Sequence, residues 1–182
     1  MKQAVLRHEQ RIETKRLMLR PPEEADLDMI VAEINDFAVV RMLARVPFPY
    51  GRTDAEDFLA WSRRSRDDVN MVVAEGGKVI GCMALCGIGS ICEFGYWLGR
   101  THWRQGFASE ASRAFLAFCF DEFAMDAIRA GAFHDNPASL HVQEKLGFDR
   151  TGISLRQSFA RRKSVKQIDT ILTRARFLEA TQ

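Results

Sequence analysis

A strand that runs straight into a glycine-centred turn, and out of it into a helix, constrains this chain more than any other feature. Ile91–Leu98 reads as a strand, and Trp103-Arg104-Gln105-Gly106-Phe107-Ala108 follows as the turn. Ala108, Ala111, Phe115, Phe118 and Cys119 then form an apolar stripe that predicts a helix over Gly106–Phe123, through Ser109-Glu110-Ala111-Ser112. Backbone N–H groups at a helix start have no intrahelical partner and lie at the positive end of the helix dipole. A glycine there lets an anion approach the backbone, and the small Ala108 keeps that approach open. The turn is therefore a candidate phosphate site. The same residues also suit an ordinary helix N-terminus, and the rest of the chain must decide between the two.

The remaining sequence alternates strands and helices. Thr14–Arg20 predicts a first strand that stops at Pro21-Pro22, and Glu23–Asn35 carries Ala25, Leu27, Ile30, Val31 and Ile34 at helical spacing. Asp36–Arg52 reads as a short helix and an irregular aromatic connection. Thr53-Asp54-Ala55-Glu56 reads as the capping box of a helix carrying Phe58, Leu59 and Trp61 towards Asp67. Asn70–Glu75 and Lys78–Cys86 flank Gly76-Gly77, a hairpin signal, and Gly87–Ser90 turns the chain into Ile91–Leu98. Strand Ala127–Phe133 leads to Asn136-Pro137, which opens a short helix ending at Gly147. Two last strands, about Phe148–Phe159 and Val165–Arg174, are joined by a basic loop. The pattern is α/β in a single domain, as suits 182 residues.

Composition excludes several classes of function. A net charge of +2 is too small to demand a polyanionic partner, and no nucleic-acid motif accompanies the basic loop. Met1–Arg16 is charged and lacks the apolar segment of a signal peptide, and the longest apolar run, Ala114–Phe120, is too short to cross a bilayer. The expected location is the cytoplasm, away from membranes. Cys82 and Cys86 would lie about 13 Å apart on one strand, with Cys92 on the next and Cys119 in a helix, so neither a zinc site nor a disulfide framework is expected.

Four motifs in order carry a resemblance. Glu93–Leu98, Trp103–Ala111, Asn136-Pro137-Ala138-Ser139 and Glu144–Phe148 resemble the GNAT acyltransferases. Their order and spacing, and the opening Ile12–Pro21, are similar to the branch containing the ribosomal-protein alanine N-acetyltransferases. The resemblance implies a domain over residues 12–178 behind a tail of residues 1–11. It also implies a mixed, mostly antiparallel sheet flanked by helices and splayed between its fourth and fifth strands. It brings acetyl-CoA as cosubstrate, an amine acceptor and no metal. The pyrophosphate would lie on Trp103, Arg104, Gln105, Gly106, Phe107, Ala108 and Ser109. Trp103 stands where the wider family often has Gln or Arg. Pantetheine would pair with the backbone of Tyr96, Trp97 and Leu98, and Asn136 would face its arm.

The chemistry needs a neutral amine, an oriented carbonyl and a proton for the departing thiolate. An α-amino group, with pKa about 8, is partly neutral at pH 7, whereas a lysine amine near 10.4 needs more help. Glu93 shares a strand face with Gly95 and Trp97; the resemblance implies a water-linked general base near this position, which a carboxylate raised towards neutral pH by burial would serve, while the residue also suits a strand-end surface Glu. Many relatives carry a Tyr in the helix after the Asn motif. Gln143 stands there and cannot donate a proton; the similarity to the alanine-acetyltransferase branch, which offers a Ser three residues after the Asn, implies Ser139 as donor or hydrogen-bond partner to the leaving sulfur, while the same residue also suits a helix-start Ser satisfying backbone. His134 ends a strand nearby and reads as a hydrogen-bonded structural histidine. Ala44–Arg52 and the loop Arg156–Lys166, with Arg156, Arg161, Arg162, Lys163 and Lys166, would border the acceptor, either as a solvated face or as a collar for an acidic acceptor. The reading is an acetyl-CoA-dependent N-acetyltransferase acting on a peptide or protein N-terminal amine in a ternary complex, with a homodimer left open. The alternatives are a small amine or amino acid as acceptor, and a non-catalytic acyl-CoA sensor.

Overall fold

The computed structural model describes residues 10–181; most of the expected tail, including His8, lies outside the described residues. Eight strands form one sheet in the order β1-β2-β3-β4-β5-β6-β8-β7. The opening strand is two strands, β1 (Ile12–Glu13) and β2 (Leu17–Arg20), folded back antiparallel. Thr14 breaks it: its hydroxyl accepts from Leu17 N–H at 2.9 Å and donates to Glu110 Oε1 at 2.6 Å, closing a tight turn that a period-2 pattern does not reveal. The sheet's splayed pair is consequently the fifth and sixth strands.

Helix α1 (Leu27–Ile34), preceded by a 3-10 turn at Glu24–Asp26, and α2 (Phe37–Val40) fill the next two segments. Helix α3 spans Arg52–Arg64. Its expected Thr53 cap is corrected: the helix starts earlier, at Gly51, whose N–H donates to Asp54 Oδ2 at 2.8 Å, so Thr53 lies inside it. β3 (Asp68–Glu75) and β4 (Lys78–Cys86) form the hairpin about Gly76 and Gly77, whose φ values of +55° and +81° are those a primed turn demands. β5 is Glu93–Leu98, α4 Phe107–Glu122, β6 Ala127–Phe133 and α5 Pro137–Lys145. Cys92 thus immediately precedes β5. β7 (Asp149–Ser158) and β8 (Lys163–Thr173) close the sheet. Helix α6 (Arg174–Thr181) was not legible in the sequence, and it carries the fold past residue 178. Two turns with one buried anchor, Phe177 with its ring centroid 5.5 Å from that of Phe120, offer no periodicity to read.

Alternation along the strands sorts side chains to two layers. Met71, Met83 and Phe94 join α4 residues such as Phe115 in one core, while Val72 and Cys82 join α1 and α3 in the other. No helix among the described residues is long and apolar enough to cross a membrane.

β5 and β6 are parallel and share a single ladder position, Glu93 opposite Arg129, with Arg129 N–H donating to Cys92 C=O at 2.8 Å. Beyond it the strands separate. The backbone of β5 past Glu93 therefore has no strand partner on its β6 side, whereas its β4 side is paired from Glu93 to Leu98. That gap and the start of α4 lie at the same end of β5.

Candidate active site

Gly106 is the residue before α4 and has φ +80°, and no side chain caps the helix behind it. Two residues earlier Arg104 has φ +61°, a left-handed conformation that non-glycine residues adopt at a cost and that concentrates at functional sites. Left-handed residues alternating in a turn direct successive N–H groups to one side, which makes an anion-binding concavity. The first N–H groups of α4 extend it. Arg104, Gln105 and Gly106 are exposed, whereas the Phe107 side chain is buried in the core and offers only its backbone. This turn therefore fits a pyrophosphate: donors without partners, no Cβ at Gly106, and a dipole of the right sign.

The turn is held from behind. Arg16 Nη1 donates to Gln105 C=O at 2.9 Å, and its Nε donates to Glu110 Oε2 at 2.7 Å, with the guanidinium 4.3 Å from the Phe107 ring centroid. Glu110, in the first turn of α4, is thereby paired and does not set a bare charge against an incoming anion. Trp103 Nε1 donates to Leu98 C=O at 2.8 Å, tying the turn to the end of β5. A tryptophan in place of the family's Gln or Arg acts here as a strut.

The gap between β5 and β6 is lined by alternate residues. Cys92 C=O faces β6, and two-residue alternation carries Phe94, Tyr96 and Leu98 to the same side. A Cβ placed on Gly81 of β4 would lie 2.2 Å from Trp97 C=O, so the Trp97 main chain faces β4. Of the three residues expected to pair with pantetheine, Tyr96 and Leu98 present backbone to the gap and Trp97 does not. Burial holds the Tyr96 phenol above its usual pKa, partly offset by a hydrogen bond with Ser139. Asn136 Oδ1 accepts from Ser139 N–H at 3.2 Å, so Asn136 caps α5. Gln143, which sequence reasoning set aside as unable to donate a proton, is buried, accepts from Thr170 Oγ1 at 2.7 Å and reaches Ser139 Oγ at 3.5 Å. Gln143, held by Thr170, thus lies beside the Ser139 hydroxyl.

Glu93 lies on the opposite face of the sheet from Tyr96, with Gly95 and Trp97. Of the two readings open for it, a buried base or a strand-end surface Glu, its setting is closer to the second: the side chain is 37% exposed and pairs with Arg156 Nη2 at 2.5 Å. Cys86, beside it on β4, is pushed up to about 11 by burial and the neighbouring Asp68, so it stays a thiol at neutral pH. His134 is exposed, with Nδ1 3.3 Å from Lys166 C=O.

Arg161 fits neither a solvated basic face nor an open collar for an acidic acceptor. Its side chain is 8% exposed and grips Asp135 with both Nη atoms, at 2.9 and 3.0 Å, while Arg41 Nη2 adds a contact to Asp135 at 2.7 Å. Arg161 Nε donates to Arg41 C=O, and Phe159 N–H to Ala44 C=O. The clamp joins the β7–β8 hairpin, the segment after α2 and the residue before Asn136. The guanidinium hydrogen bond holds the Asp135 carboxyl below the usual carboxylate range against the opposing effect of its partial burial. Spacing along the sequence gave no sign of this contact, because residues 41, 135 and 161 meet only through the sheet.

The profile of the family described as Acetyltransferase (GNAT) domain matches residues 16–149, more than half of the chain. A relative from Bacillus licheniformis, named uncharacterized N-acetyltransferase p20, is 29% identical over 151 residues, covering 77% of this chain and 83% of that protein. Mycobacterium smegmatis RimJ, solved with CoA-disulfide, superposes with a TM-score of 0.79 at 16% identity over 91% of this chain and 84% of that one. Spermidine N-acetyltransferase from Vibrio cholerae, solved with CoA and spermine, gives 0.77 at 21% identity over 91% and 99%. An uncapped helix start beside a splayed parallel strand pair, on a chain so matched, has one reading: this protein belongs to the GNAT acetyltransferase family and is an N-acetyltransferase.

Proposed function

We propose that the protein transfers an acetyl group from acetyl-CoA to the N-terminal amine of a peptide or protein, by direct attack in a ternary complex. The observation that carries this reading is the gap between β5 and β6, which opens after one ladder position and ends at the uncapped start of α4. The turn from Trp103 to Ser109 would hold the pyrophosphate through backbone N–H groups. Gap-facing backbone at Tyr96 and Leu98 would receive the pantetheine and orient the thioester carbonyl. The bound cosubstrate supplies an activated acyl carbon: a C–N bond forms there as the C–S bond breaks.

The two faces of β5 separate the two proton transfers. Glu93, on the face shared with α1 and α3, would take a proton from the attacking amine, with Arg156 fixing the carboxylate. Ser139, on the face shared with Tyr96, would give a proton to the departing sulfur or stabilise it by a hydrogen bond. No thiolate is on hand for an acyl-enzyme, because Cys86 stays protonated.

Charge favours a peptide over a polyamine. Arg156, Arg162, Lys163 and Lys166 occupy or flank the β7–β8 hairpin beside Glu93, and a polycation would approach against them. An α-amino group also needs less deprotonation than a lysine. The similarity to the ribosomal-protein acetyltransferase branch points the same way. The test is a turnover screen with acetyl-CoA against N-terminal peptides, amino acids and polyamines, read by free thiol release. Peptide turnover with intersecting double-reciprocal lines supports the reading; turnover confined to polyamines, or parallel lines, overturns it.

A further inference from the structure

The face of the sheet that carries Glu93 holds a donor with nothing to donate to. Register places Asn70 of β3 opposite Ala84 of β4, and Ala84 opposite Gly95 of β5. The next pairs along the same strands, Val72–Cys82 and Cys82–Trp97, belong to the α1–α3 layer, so Asn70, Ala84 and Gly95 form one row on that face. A Cβ built on Gly95 meets nothing within 4 Å, and Ala84 is half-buried. At the far end Asn70 is 2% exposed, and its Nδ2 has no hydrogen-bond partner.

We propose that Asn70 is a specificity-determining residue of the acceptor groove, donating a hydrogen bond from its side-chain amide to a main-chain carbonyl of a peptide that lies across Ala84. This rests on the N-terminal amine reading above. A buried donor left unpaired destabilises the fold, and apolar β-branched residues suit that strand position better. The unpaired amide is explained by a group that arrives with the substrate. The floor leading to it is made of Gly95 and Ala84, too small to obstruct a main chain lying flat. Adjacent strands are about 4.8 Å apart, so Gly95 and Asn70 are separated by about 10 Å, the length of roughly three extended residues. The amine would sit at the Gly95 end, beside Glu93 and the β5–β6 gap, and the carbonyl of the second or third residue would reach Asn70. A free amino acid, whose amine and carboxylate share one carbon, cannot span the row. The amide donates to a neutral carbonyl without imposing a charge requirement, so selection would act on length and backbone more than on side chain.

The experiment compares kcat/KM for trialanine amide with that for alaninamide, in the wild type and in Asn70→Leu. The wild type should prefer the tripeptide. The variant should lose that preference by about 10- to 100-fold, mainly through KM, while its melting temperature stays level or rises because an unpaired donor is gone. Gly95→Val, whose side chain projects into open space, should depress tripeptide kcat/KM with acetyl-CoA affinity retained. An unchanged ratio in Asn70→Leu, or full tripeptide activity in Gly95→Val, overturns the groove while leaving the N-terminal amine reading in place. A wild type that acetylates neither substrate, yet turns over other amines, overturns that reading itself.

Discussion

The two helices that flank the splayed strands begin in opposite ways. Helix α5 closes its own start: Pro137 at the first position lacks an N–H, and Asn136 accepts from Ser139 N–H at 3.2 Å. Helix α4 does not: Gly106 at φ +80° brings no side chain, and the acid in its first turn, Glu110, is turned away to Thr14 and Arg16. A helix start satisfied from within is structure. One left open, exposed and braced from behind suits a ligand. On the function proposed above, the difference would give the cofactor's phosphates to α4 and leave α5 to position one hydroxyl, Ser139.

Gly106→Glu should break this comparison most severely. The Gly106→Glu side chain would start with its Cβ 3.4 Å from Arg16 Nη2, disturbing the brace behind the turn, and would add a negative charge at the helix start proposed to hold the pyrophosphate. Acetyl-CoA binding should fall below detection by calorimetry, with a cooperative melt retained despite about 1–2 kcal/mol of left-handed strain. Wild-type affinity in the folded variant would remove α4 as the phosphate site. Ser139→Ala should have the next largest effect, lowering kcat about 100-fold with acetyl-CoA affinity within a few-fold, as expected for a group acting in the transition state. An unchanged kcat would show that the α5 start serves the helix alone.

The difference between these helix starts was half legible in the sequence. Gly106 after a strand and Asn136-Pro137 after another are local signals, and both helices begin within a residue of where those signals place them. The hairpin at Gly76-Gly77 and strand β6 were equally plain, because each is written in adjacent residues. What stayed hidden is made by residues far apart in sequence. Arg16 bracing Gln105, Arg156 pairing with Glu93, and Arg161 gripping Asp135 depend on the sheet bringing separate segments together. Thr14 splits the first strand for the same reason, since its hydroxyl is partly committed to Glu110. Basic residues in a loop read as solvent-facing charge, and only the fold shows that Arg161 is buried.

Smaller effects sharpen the account around α5. Asp135→Asn removes the carboxylate that Arg161 and Arg41 grip just before the cap. It should cost about 2–3 kcal/mol at pH 7, less than the roughly 3–5 of a fully buried pair because Asp135 keeps contact with water. The Asp135 pKa is depressed in the folded state, so its contribution is present above its unfolded value near 4 and is lost as pH falls through the lower native value. Denaturant titrations of wild type and variant should therefore differ most at neutral pH and converge in acid; a pH-independent difference would refute the ion pair as its source. Asn136→Ala should cost only about 1 kcal/mol, and Asn136→Asp should restore it, since aspartate caps as well as asparagine.

The contrast between the two helix starts is tested most directly by following backbone amide resonances while inorganic pyrophosphate is titrated into the wild-type protein. Pyrophosphate carries the anion without the pantetheine arm, so it reports on the phosphate site alone. The account predicts saturable shifts concentrated on the N–H groups of Gln105–Ser109, with those of Ala138–Leu140 in α5 nearly still. Equal shifts at both helix starts, or a response that leaves the α4 start untouched, would contradict it.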